Sequence, residues 1–161
     1  MTWEVKMKLK KLLIGLIAFL MFASPSMAQS FGIRLGYPLG VQYSTGDVGK
    51  QGTGFRIAVG TFFFAGVEVQ ADFMLGQIKL GDSAPLTLFY GVGLHAGFFF
   101  GNAFVQSGFS FGPQGTIGLE YVLQKGLSLF VDTSLGLDIV LGSSSPIQFY
   151  YSGAFGISFK I

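Results

Sequence analysis

From residue 30 onward, apolar and polar residues alternate along most of the chain with a period of two. The clearest case flanks Gln124-Lys125-Gly126. Ile117, Leu119, Tyr121 and Leu123 share one parity before this turn, and Leu127, Leu129, Val131, Leu135 and Leu137 share one after it. The opposite parity carries Thr116, Gly118, Glu120, Ser128, Asp132, Ser134, Gly136 and Asp138. Successive side chains of a strand point to opposite faces, so this pattern across a short turn with Gly predicts an antiparallel hairpin.

The same reading extends in both directions. Phe31, Ile33 and Leu35 alternate with Gly32, Arg34 and Gly36, and Val41 and Tyr43 resume the pattern after Pro38. Further strands are predicted over 55–63, 66–75, 86–98 and 149–161. Residues 46–52, 79–85 and 141–146 read as polar loops or turns. Residues 99–115, rich in Gly, Phe and Ser, read as a long loop with strand extensions. Seven strands can be counted directly. Bacterial single-chain membrane barrels use even numbers, so residues 31–44 are expected to split at Pro38, which cannot donate to a ladder, into two short strands.

The apolar parity is too extensive, and the charges too few, to coat a soluble surface. Lys6, Lys8, Lys10 and Lys11, the apolar run 12–22, and Ser26-Met27-Ala28 have the layout of a secretory signal peptide cut before Gln29. Eleven apolar residues are too few for a membrane span, which needs about 20. Taking 28 residues from 161 leaves 133, one domain over 29–161. That part carries six bases (Arg34, Lys50, Arg56, Lys79, Lys125, Lys160) against seven acids (Asp47, Glu68, Asp72, Asp82, Glu120, Asp132, Asp138), so the basic balance of the whole chain belongs to the leader. Nucleic-acid binding is not indicated. The chain has no Cys, which excludes disulfides and a lipid-anchored N-terminus.

A chain this apolar without a later run of 18 or more apolar residues suits a transmembrane β-barrel, where only alternate residues meet lipid. Spanning strands take about 9–11 residues, so this length accommodates about eight. The expected fold is a closed antiparallel up-and-down barrel of eight strands, monomeric, exported through the Sec pathway to the outer membrane of a diderm bacterium. Outer-membrane lipids are its expected partners.

Parity places Arg34, Arg56, Glu68, Gln70, Asp72, His95, Glu120, Asp132 and Lys160 on the inward face as a charge network. Eight strands enclose a space just wide enough for side chains, so the network is expected to plug the lumen, with Arg34 and Arg56 at its centre. Its functional alternative is a narrow solute path or binding site. Aromatic residues of the outward parity, among them Phe31, Tyr43, Phe73, Tyr90, Tyr121 and Tyr151, suit interfacial girdles. His95 is the only histidine of this chain, and without Cys it forms no metal-ligand spacing. Ser107, Ser110, Ser143 and Ser144 lie in no recognisable nucleophile motif. No catalytic residue, metal or cofactor is expected, a lipid-modifying hydrolase being the enzymatic alternative.

The last strand, Ala154-Phe155-Gly156-Ile157-Ser158-Phe159-Lys160-Ile161, is similar to the terminal signal read by barrel-assembly machinery, although it ends in Ile in place of an aromatic. With Tyr90-Gly91-Val92-Gly93-Leu94-His95-Ala96-Gly97 and Ile117-Gly118-Leu119-Glu120-Tyr121, it makes residues 29–161 resemble the small outer-membrane barrels of the OmpA/OmpX type within the porin-like superfamily. The resemblance implies fold, location and contact with the assembly machinery through 154–161. It implies no reaction, because members serve as anchors, adhesins, enzymes or channels. A structural or surface-interaction role, with residues 99–115 and 141–146 as contact loops, is the expectation. A soluble calycin-like barrel holding a hydrophobic ligand is the rival, and it requires the two faces to be inverted.

Overall fold

The computed structural model describes residues 29–46, 54–61, 66–81, 85–100, 108–141 and 146–161. The leader, the Phe62-Phe63-Phe64 run and most of the loops at 46–52 and 141–146 lie outside the described residues. Eight strands follow in chain order: β1 (Gln29–Tyr37), β2 (Leu39–Thr45), β3 (Gly54–Thr61), β4 (Gly66–Lys79), β5 (Leu86–Phe99), β6 (Gly108–Gln124), β7 (Leu127–Leu141) and β8 (Ile147–Lys160). Each pairs antiparallel with the next, and β8 pairs with β1, closing a barrel. The described residues contain no helix.

Pro38 divides β1 from β2, and the Tyr37–Pro38 peptide is cis. The β6–β7 turn is the two residues Lys125 and Gly126; Gly126 has φ +89, a conformation that a Cβ disfavours.

The stretch 99–115 has the strand extensions expected of it, and they take up more of it than a contact loop allows. Residues 108–115 are strand, with Phe109 and Phe111 facing outward and Ser110 and Gly112 inward in continuous register with β5, while 101–107 lie outside the described residues. Pro113 is accommodated because the β6–β7 ladder is interrupted there, running from Phe109 to Phe111 and resuming at Gln114. A strand with a Pro tolerated at a ladder gap has the composition of a loop, so composition alone underestimates how far these extensions run.

Walking along paired positions from Ile157 passes Ile33, Val41, Val59, Val69, Ala96, Phe111 and Ile139 and returns to β8 at Ile147. The return point lies ten residues from the start (157 to 147), the stagger that goes with tilted strands in a closed barrel. All nine positions on this path are apolar and stand on the outward parity. Val67, Phe73, Val131 and Phe155 are likewise exposed on the outside. Their strand neighbours Glu68, Asp72, Asp132 and Ala154 are buried inside. The faces are therefore not inverted as a soluble carrier of a hydrophobic ligand requires.

Large inward rings are fitted by the glycines opposite them. A Cβ on Gly118 would stand 2.3 Å from the Phe89 ring, and one on Gly156 2.6 Å from the Phe130 ring. Two aromatic side chains thus fill the lower lumen only because the neighbouring strands bring no side chain there.

Candidate functional site: the charged interior

Three layers of polar side chains fill the barrel. At mid-height Arg34 on β1 holds Asp132 on β7 with two parallel bonds, Nη1 to Oδ2 at 3.0 Å and Nη2 to Oδ1 at 2.9 Å. Arg34 Nη1 also donates to Gln42 Oε1 on β2 at 2.9 Å. Arg56 on β3 donates from Nη1 to Asp132 Oδ2 at 2.8 Å, and from Nε and Nη2 to Asp72 Oδ2 on β4 at 3.0 and 2.5 Å. The other Asp72 oxygen accepts from Gln114 Nε2 at 2.7 Å and Thr116 Oγ1 at 3.3 Å, and Thr116 shares a hydroxyl bond with Ser134 at 2.7 Å.

This centre holds two guanidiniums and two carboxylates, so its formal charge is zero. Arg34 and Asp72 are fully buried, and Arg56 and Asp132 nearly so. Ions so desolvated are sustained only when each finds an opposite charge with good hydrogen-bond geometry. The forked Arg34–Asp132 pair and the bridging Asp132 oxygen supply this. Both cations come from the short strands β1 and β3, and both anions come from the long strands β4 and β7.

The upper layer lies toward the β1–β2 turn. Glu68 accepts from Gln70 Nε2 at 2.7 Å and from the Tyr150 hydroxyl. Gln70 Nε2 also lies 2.8 Å from Tyr150 OH and 3.0 Å from Ser152 Oγ. The His95 ring stacks on Tyr150 with centroids 3.6 Å apart, and His95 Nε2 lies 3.0 Å from Asp138 Oδ1. His95 Nδ1 is buried and has no hydrogen-bond partner among the described residues; Ser107, Ser143 and Ser144 lie outside them. Among the described residues no group of three or more His, Cys, Asp or Glu could hold a metal ion.

The lower layer is looser. Glu120 accepts from Ser128, and Lys160 is exposed at the rim. Both line a cavity of about 60 Å³ that opens between the strand ends and reaches up to Arg56, with Phe89 and Phe130 in its wall. The Arg56 guanidinium stands 5.9 Å from the centre of the Phe89 ring.

The nine inward residues named from parity thus fall into distinct groups. Arg34, Arg56, Asp72 and Asp132 meet at the centre, Glu68, Gln70 and His95 sit above, and Glu120 and Lys160 line the lower cavity. Picking mainly charged residues from the inward parity left out Gln42, Gln114, Thr116, Ser134, Tyr150 and Ser152, which complete the hydrogen bonding. All six stand on the inward parity, so the same alternation contained the signal, but uncharged residues draw no attention until a charge is seen to need them. No family model matches the chain, and no curated protein matches it.

Proposed function

We propose that this chain is an integral outer-membrane β-barrel with a plugged, non-conducting lumen, serving as a structural or surface-interaction element. One observation carries the reading: the burial pattern of a water-soluble barrel is reversed, with the apolar ring from Ile33 to Ile147 outside and the paired ions inside. A mid-plane Arg or Lys on a lipid-facing wall costs about 2–4 kcal/mol, and the charged strand residues of the central and upper layers face inward instead. Closure through β8–β1 pairs the first strand with the last from Ser30 to Tyr37, as hydrocarbon requires of a spanning sheet. Phe155, Ile157 and Phe159 stand on the outer face of the last strand, open to recognition by assembly machinery during insertion.

Plugging follows from the centre. A solute passing mid-height would have to part Arg34 and Arg56 from the carboxylates that neutralise them. The rival reading, a narrow solute path, draws on the lower cavity that reaches Arg56. Fractionation with a gel run on unboiled and boiled samples tests the membrane reading: a heat-modifiable band in the detergent-extracted membrane fraction is expected, and a periplasmic protein released without detergent overturns it. Planar bilayers test the plug. A silent bilayer is expected; sustained single-channel steps from purified protein favour the solute path.

A further inference from the structure

The barrel wall is not of even height. Residues Lys160 to Gly153 of β8 lie along β1, and Tyr37 is the last β1 residue in that register. Ile147–Ser152 run on past it, still paired to β7 but with no strand beside them among the described residues. Six residues of tilted strand make a step of roughly 12–15 Å along the barrel axis. Val140 N–H donates to Pro146 O, so the even-numbered residues of this stretch bond toward β7. The backbone N–H and C=O groups of Ile147, Phe149 and Tyr151 therefore point sideways over the step. Their side chains are the most exposed of the large apolar ones that belong to a described strand, at 67%, 69% and 66%.

Open sheet edges do not occur in hydrocarbon, where each unpaired backbone group costs several kcal/mol. The hydrocarbon must then end below Ile147 on this side. The stacked Tyr37 and Tyr151 rings, 6.1 Å apart, stand at the foot of the step, and tyrosines of this kind sit at the level of lipid headgroups. Elsewhere the wall is tall: β6 is apolar on its outer face from Phe109 to Tyr121, roughly 30 Å along the axis, against about 25 Å for the apolar band of such barrels. On β1 the apolar outer face runs only from Phe31 to Tyr37, roughly 15 Å.

We infer that the β8–β1 seam is a membrane-thinning face: the headgroup layer of the bilayer is drawn down to Tyr37 and Tyr151, and headgroups and water solvate the free edge of β8. The partner is the lipid itself, a phospholipid whose chains shorten or tilt beside β1 and β2. This inference rests on the membrane reading above.

The absence of Cys in the chain permits single-site labels. Leu39 pairs through Thr61 and Val67 to Phe98, and the ten-residue stagger lowers a level line by about four residues over those three strands, to Leu94 on the opposite wall. Leu39→Cys and Leu94→Cys therefore carry spin labels at equal height. In dimyristoylphosphatidylcholine nanodiscs, the label at 39 is expected to collide with a water-soluble nickel chelate and the label at 94 with oxygen only. Equal collision profiles at the two positions overturn the inference. Ile33→Cys and Ile117→Cys, at mid-height, test the underlying reading separately: chelate access at both would refute membrane insertion, not thinning alone. Amide exchange on the unaltered protein gives a check that needs no variant. Exchange at Ile147, Phe149 and Tyr151 is expected to be about 100-fold or more faster than at Phe155 and Ile157 of the same strand. Protection of all five overturns the inference by showing that the edge is covered, by another strand or by a second copy.

Discussion

The short-walled side of the barrel and its tall side are built from different material. β1, β2 and β3 have 9, 7 and 8 residues, whereas β4 to β8 have between 14 and 17. The short strands carry Arg34 and Arg56, and the tall ones carry Glu68, Asp72, Glu120, Asp132 and Asp138. A strand with half the length forms about half the ladder, so its hold on the rest of the sheet is weaker. The interior ion pairs run from one side to the other: Arg34 reaches Asp132, and Arg56 reaches both Asp132 and Asp72. The comparison teaches that charge inside this barrel is arranged as a cross-brace. It ties the side with few rungs to the side with many.

Removing the shared anchor is the strongest way to break that brace. Asp132→Ala leaves two buried guanidiniums short of charge, and a loss of about 3–5 kcal/mol is expected by urea unfolding in lipid vesicles. Asp72→Ala, which deprives Arg56 alone while Asp132 remains, should cost less. Equal losses would show that the two sides are not held through Asp132 in particular.

The next effect separates the inner surface from the outer one on a single strand. Val131, the neighbour of Asp132, faces outward at mid-height. Val131→Arg should cost about 2–4 kcal/mol in lipid vesicles, and the same change at Leu141, at the upper end of the tall wall, about 0–1. Identical costs at the two depths would remove the support for a lipid-facing wall.

Smaller effects come from the glycines. Gly118→Ala places a methyl 2.3 Å from Phe89 and 2.6 Å from the Val131 carbonyl oxygen, and about 1–3 kcal/mol of overpacking is expected. Phe89→Leu in the same chain should recover part of it, as judged by the unfolding midpoint. Gly126→Ala has open space around it, so only its φ of +89 opposes the change, at about 1–2 kcal/mol. A larger loss at Gly126 than at Gly118 would mean that the lower lumen is less tightly filled than the ring contacts indicate.

Alternation in the sequence was enough to say that Val131 and Asp132 lie on opposite faces, that Lys125-Gly126 turns the chain, and that Pro38 divides a segment that otherwise reads as one strand. These are properties of neighbouring residues, set by the two-residue period of a strand and by the backbone limits of Pro and Gly. Closure of the sheet decided the rest. Arg34 and Asp132 are 98 positions apart, and nothing local distinguishes Asp132 from Asp72 or Asp138 as the partner. Register around eight strands brings one carboxylate between two guanidiniums and leaves β8 standing above β1. Those distances are sums over every strand pairing, so they exist only once the barrel is complete.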